Sequence, residues 1–221
     1  MESATKAQAR AELDEFIQSK PFSCLGARAA LKRDTITHGH YRELGDAESA
    51  REHHRDLAEY ARGLPGTLSD KSFKTFVATF DAPGLLSEPE FERLLWQHLQ
   101  LVHDIDIQEH TPDTRFSSDP AEATFGFPTA GHAFFVVGLH PGSSRASRRF
   151  TRIAAAFNSN VQFVLMGETF DRMQEKIRGR EVTNNGSVNP SFTTYEYTQP
   201  ARHFSGRFTE QDWKCPFEPR G

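Results

Sequence analysis

GHAFFVVGLHPGSSRASRRFTRIAAAFN, residues 131–158, turns within one loop from an apolar run to a basic one. His132–Leu139 is too continuously apolar for an edge strand, so it reads as a strand covered on both faces. It delivers its last residues to a turn holding His140, Pro141 and Gly142, after which Arg145, Arg148, Arg149 and Arg152 fall within eight residues. A second apolar stretch, Ile153–Phe157, follows that loop.

Upstream, residues 124–128 pair with 132–139, and 107–122 form a polar, proline-containing loop. Ser87 opens a helix to about Asp104 as its N-cap, with Glu90 completing a capping box and Phe91, Leu94, Leu95, Leu99 and Val102 as core positions. Phe73–Phe80 alternates as a strand. Residues 47–62 form a helix with Ala50, His54, Leu57 and Ala61 on one stripe and Gly63 as its stop. Residues 35–41 form a further strand, 26–32 a short helix, and 5–18 an N-terminal helix with Ala9, Leu13, Phe16 and Ile17 inward. Downstream, one helix runs from about Gln162 to Arg178. Residues 181–221 form an irregular wrap in which Tyr195, Tyr197, Phe204, Phe208 and Trp213 need burial. Strands and helices are interspersed without a regular βαβ rhythm and without a domain boundary. The expectation is therefore one α+β domain over 1–221, with a mixed or antiparallel central sheet flanked by helices.

A net charge of −4 and a pI near 6.2 argue against a general nucleic-acid binder, which would need a basic face. No apolar run approaches a membrane span, and Met1-Glu2-Ser3-Ala4-Thr5-Lys6 lacks the layout of a signal peptide, so a cytoplasmic protein is expected. The two cysteines, Cys24 and Cys215, form no CxxC pair, and nothing supports a disulfide. Phenylalanine dominates the aromatics, 19 against 4 Tyr and 2 Trp, as suits a ring-rich core or a pocket for a planar apolar ligand.

GxGxxG after a strand, the Walker A loop, HExxH and GxSxG are all missing. The arginine loop reads either as solvated surface or as a holder of carboxylates and phosphates. Of ten histidines, His53, His98 and His110 read as solvent-facing, and His54 and His103 as core residues on helix stripes. His38 and His40 share a strand face without further ligands at a standard spacing. His140, at a strand end beside proline and arginines, is the best placed to meet a cofactor.

Phe134-Phe135-Val136-Val137-Gly138-Leu139-His140-Pro141, Ser143-Ser144-Arg145, Arg148-Arg149-Phe150, Phe157-Asn158 and Gln162-Phe163 together resemble the YqcI/YcgG family. Phe22-Ser23-Cys24, Phe91-Glu92, Leu95-Trp96, His103, Gly186-Ser187, Asn189-Pro190, Ser205-Gly206-Arg207, Trp213 and Cys215-Pro216-Phe217 extend the likeness over almost the whole chain. The resemblance implies haem b and oxidation of a guanidine or amine nitrogen on a small cationic amino-acid-like substrate. O2 and an outside electron donor, a reductase or peroxide, are implied with it. On this reading His140 ligates the iron, with His103 first in reserve and His54, His40 and His38 behind it. Ser144, Arg145, Arg148, Arg149, Phe157 and Asn158 join His140 around the cofactor, and Glu43 or Asp104 holds the cationic end of the substrate. Alternatives are a haem sensor or carrier without turnover, and a metal-free enzyme or binding module whose Arg145–Arg149 loop takes an anionic group.

Overall fold

The structure is a computed structural model that describes residues 2–81, 84–188 and 199–220. In chain order it comprises α1 (Glu2–Gln18), α2 (Leu25–Lys32), β1 (Ile36–Tyr41), α3 (Ala47–Arg62), β2 (Thr75–Phe80) and α4 (Glu88–Asp106). Then come β3 (Phe127–Thr129), β4 (His132–Leu139), β5 (Ile153–Ser159), α5 (Asn160–Met166) and α6 (Glu168–Asn185). Helix boundaries follow local chemistry. Ser87 and Glu90 make the reciprocal capping box of α4, and the Asp46 carboxylate caps α3 by accepting from Ser49 N at 2.9 Å. The single helix expected over 162–178 is two helices. Gly167, at φ 47° and ψ −129°, breaks it into α5 and α6.

The strands form one mixed sheet in the order β1-β2-β5-β4-β3. β1 and β2 are parallel, joined through α3, and the remaining pairs are antiparallel. β4 lies inside the sheet, as its continuous apolar run requires.

Alternation along the strands divides their side chains between two faces. Phe76, Phe80, Phe134, Val136, Ile153 and Phe157 pack with Leu57, Phe91, Leu95 and Leu99 of α3 and α4 in the main core. Each such phenylalanine, withdrawn from water, stabilises the fold by roughly 1.5–3 kcal/mol. Val77, Leu139 and Ala154 face the other way, against Leu13 and Ile17 of α1 and Ala30 of α2.

Gly138 and Gly142 serve this packing. A Cβ on Gly138 would lie 2.8 Å from the Phe91 ring and 2.9 Å from the Phe204 carbonyl, and one on Gly142 only 2.1 Å from the Leu86 carbonyl. The histidines expected at the surface are partly misplaced by that reading. His53 and His98 are buried in the aromatic core, while His110 is half-buried. The helical period carries His53 and His98 inward, where their rings share one hydrogen bond, Nδ1 to Nε2 at 2.9 Å.

Candidate ligand cavity

Small side chains on the second face leave that side of the sheet incompletely filled. Ala156 of β5 lies between Val137 and Leu139 of β4 and Val77 of β2, and all four border a cavity of about 710 Å³. That volume falls in the ordinary range of small-molecule sites. α1 and α2 close it from one side with Leu13, Ile17 and Ala27, and Phe73 and Phe135 add rings. Phe163 of α5 and Phe170, Met173 and Ile177 of α6 form the opposite wall. The Phe163 and Phe170 rings stack at 4.6 Å across the Gly167 break. None of the 18 residues of α6 is buried, although its Phe170, Met173 and Ile177 line the cavity. A helix that packs against a void gains little from burial, so a ligand filling the cavity would supply its missing core.

The polar groups in this apolar wall are few. Arg148 donates to the Gly138 and His203 carbonyls at 2.9 and 3.2 Å. No carboxylate lies within salt-bridge distance of it among the described residues. It keeps some accessible surface because it borders the cavity, yet desolvation dominates and lowers its pKa to about 10. Arg145 also lines the cavity but is engaged by Glu181 at 3.2 Å and by the Ser187 carbonyl. His203 and Cys24 supply an imidazole and a thiol to the same wall. Cys24 opens onto the cavity and its thiol pKa is raised by desolvation, with Ala27 and Gly26 N–H groups and the Arg148 charge acting weakly in the opposite sense. The thiol therefore stays protonated near neutrality. Asn158 and Asp171 complete the polar lining used below.

Of the residues expected to meet a cofactor, Arg145, Arg148 and Asn158 reach the cavity and the others do not. His140 is one residue past Leu139 and so projects to the opposite face, stacked on Phe91 at 4.2 Å, where burial lowers its pKa to about 4. Phe157 belongs to the main core by the same alternation. Ser144 bonds the Glu88 carboxylate by its N–H and hydroxyl. Arg149 is spent on the Ser143 and Ser144 carbonyls at 2.7 and 3.0 Å, and Arg152 on Glu12 at 2.6 Å. The loop is thus not a uniformly solvated run, and of its four arginines only Arg145 and Arg148 border the cavity.

The reserve histidines do not border the cavity either. The His103 ring bridges the Pro128 carbonyl and Arg220 N, and His38 and His40 both bond Thr79 Oγ1 at 2.8 and 2.9 Å. His54 bonds Asp106 at 2.8 Å. Asp104 pairs with Arg220, and neither it nor Glu43 borders the cavity. Sequence reasoning missed His203, which carries no local signal. It read Cys24 as an unpaired cysteine and as part of the family likeness, and not as the cap of α2, where its thiol accepts from Ala27 N.

A model of the YqcI/YcgG family matches residues 13–218. No curated protein and no solved structure matches the chain. Among the described residues no helix is long and apolar enough to cross a membrane.

Proposed function

The chain belongs to the YqcI/YcgG family, and from that premise we propose that its cavity takes up haem b and that the protein oxidises a nitrogen of a small cationic amino-acid-like substrate. The observation that carries this reading is Arg148, a guanidinium without a carboxylate partner at the wall of a large apolar cavity. Such a site favours a flat apolar molecule that carries carboxylates, because the anion restores the stabilisation the arginine lost on leaving water. Haem asks for apolar walls, cations for its propionates and one imidazole. Val137, Phe135 and Phe170 would form the walls, Arg148 and Arg145 would hold propionates, and His203 would ligate the iron. His203 is preferred to Cys24 because a neutral imidazole binds metal without losing a proton, whereas the Cys24 thiol must first ionise against a raised pKa.

When bound, haem supplies activation of O2 with electrons from an external donor. The protein's share is binding and orientation. Asp171, on the α6 wall and without an ion pair among the described residues, would hold a guanidinium or ammonium group near the cofactor. Fixing the substrate nitrogen in this way can contribute several kcal/mol, about 7 or more in the best cases, to lowering the barrier.

Protein expressed with a haem precursor is expected to show a Soret band that falls sharply in His203→Ala and survives in Cys24→Ser and His140→Ala. Arg148→Met should lower haem affinity more than Arg149→Met does. Guanidines and amines, incubated with reductant and O2, should gain one oxygen by mass spectrometry. Colourless protein after reconstitution would leave a metal-free binder of apolar carboxylates. A loaded protein that gives neither a substrate-induced Soret shift nor product would be a haem sensor or carrier.

A further inference from the structure

On the opposite side of the sheet from the cavity, three side chains converge from two helices and a turn. His54 lies in the middle of α3, Asp106 is the last residue of α4, and His110 stands one turn beyond it. Their ligating atoms all lie within 4.8 Å of one another. His54 Nε2 is 2.8 Å and His110 Nδ1 3.0 Å from the same oxygen, Asp106 Oδ1. That oxygen also accepts from Ala130 N at 2.7 Å.

Hydrogen bonding alone accounts for only part of this cluster. The His54 contact is a hydrogen bond of good length. His110 Nδ1, although 3.0 Å from Asp106 Oδ1, is buried and makes no hydrogen bond, because its N–H direction does not meet the oxygen. A buried ring nitrogen left in that state is destabilising unless something binds it. With His110 Nδ1 left unbonded, the three donor atoms lie close enough together to share one ion. With zinc–ligand distances of about 2.0–2.1 Å, neighbouring ligands of a tetrahedral ion stand about 3.3 Å apart, so His54 and His110, at 2.8 and 3.0 Å from Asp106, need open by only about half an ångström or less to receive one.

We propose that His54, Asp106 and His110 bind a divalent transition-metal ion of the zinc type. Two imidazoles and one carboxylate suit Zn2+ and its neighbours in the first row, and do not suit Ca2+ or Mg2+, which prefer oxygen throughout. Three protein ligands leave further positions for water, which reaches the site past His110, its side chain 29% accessible against 5–6% for the other two. The ion would tie α3 to the end of α4. Through Asp106 it would also tie the turn joining β3 to β4, where Ala130 adopts φ 53° and Gly131 φ 70°. Its role in this arrangement is to brace the fold; the ligand cavity does not reach it. The site is independent of the haem reading and stands or falls separately.

Untagged full-length protein, stripped with a chelator, should bind one Zn2+ per chain in isothermal titration and melt at a higher temperature with zinc than without it. His110→Ala, the least buried of the three, should weaken that binding by about 100-fold or more, while His38→Ala/His40→Ala on the far edge of the sheet leaves it unchanged. X-ray absorption at the zinc edge of the wild-type protein should report two imidazoles and oxygen donors, a readout that needs no variant and that haem iron does not disturb. Binding that is as tight in His110→Ala, a coordination shell containing sulfur or oxygen alone, or no zinc uptake by folded protein would each overturn the assignment.

Discussion

Arg202→Leu is expected to destabilise the protein by about 3–5 kcal/mol, the range for a buried charged group removed from a hydrogen-bond network. Arg202 is 3% exposed. Its guanidinium donates to Thr209 Oγ1 at 3.1 Å and to the carbonyls of Glu210, Gln211 and Trp213 at 2.8, 3.1 and 3.0 Å, and it also reaches Gln199. It lies 5.2 Å over the Trp213 ring. The segment it organises has almost no regular secondary structure; the Gln211 and Trp213 carbonyls take their donor from this side chain, while that of Glu210 also accepts from Trp213 N at 3.1 Å. Leucine would leave the Gln211 and Trp213 carbonyls without that donor, at about 1–3 kcal/mol for each that water does not reach. Lysine should recover little, because a point charge does not reproduce the planar fork. Denaturant unfolding measures the effect, and a loss below about 0.5 kcal/mol, the level of an ordinary surface substitution, would refute it. Because Pro200, His203 and Gly206 of the same segment border the cavity, Arg202→Leu should also depress haem uptake.

The C-terminal segment also shows how far the sequence could be read. Burial of Phe204 and partial burial of Trp213 follow from their size, but Phe208 is 57% exposed, and Tyr195 and Tyr197 lie outside the described residues. What holds the wrap was not legible. Arg202 and Glu92 are charged residues that any burial argument sends to the surface. Glu92 nonetheless accepts from Ser205, Arg207 and Trp213 at 2.9, 2.7 and 3.3 Å and is 7% exposed. Long-range polar networks leave no periodic trace.

Regular elements do leave one. The capping box at Ser87, the stripe of α3 ended by Gly63 and the doubly covered strand β4 are local signals, and together they carry the mixed sheet and its flanking helices. The candidate site was half legible for the same reason. Proximity in sequence put Arg145, Arg148 and Asn158 in view, but side-chain direction decides membership. The strand period of two carries Leu139 to the cavity and His140 away from it. His203 reaches the cavity from a segment more than sixty residues along the chain from His140, and only the fold brings it there.

Acid should unfold this protein at a milder pH than its carboxylates alone would allow, and His98 and His140 are the reason. His98 lies in the core, where Gly45 N donates to its Nδ1 at 3.2 Å; its Nε2–H is therefore left to donate to His53 Nδ1 at 2.9 Å. That pairing uses neutral rings. Desolvation lowers the His98 pKa to about 3, with the Asp46 charge opposing it. Desolvation lowers that of His140 to about 4, with Glu88 opposing and Arg148 assisting. In the unfolded chain both titrate near 6.5. Between the folded and unfolded values the unfolded state holds more protons, so stability is complete above about pH 6.5 and falls as pH is lowered, until each folded pKa is passed. Each ring contributes a slope of up to about 1.4 kcal/mol per pH unit in that window, and the two together nearly 3. By about pH 4.5 the loss approaches 5 kcal/mol, comparable with the whole stability of many domains. Urea unfolding between pH 7.5 and 4.5 should show this slope, and His140→Phe should reduce it by up to about 1.4 kcal/mol per unit whatever it does to stability at neutral pH. A wild-type stability that stays flat from pH 6.5 to 5, or a slope unchanged in His140→Phe, would mean that these rings accept protons without unfolding and that the packing around them yields to the charge.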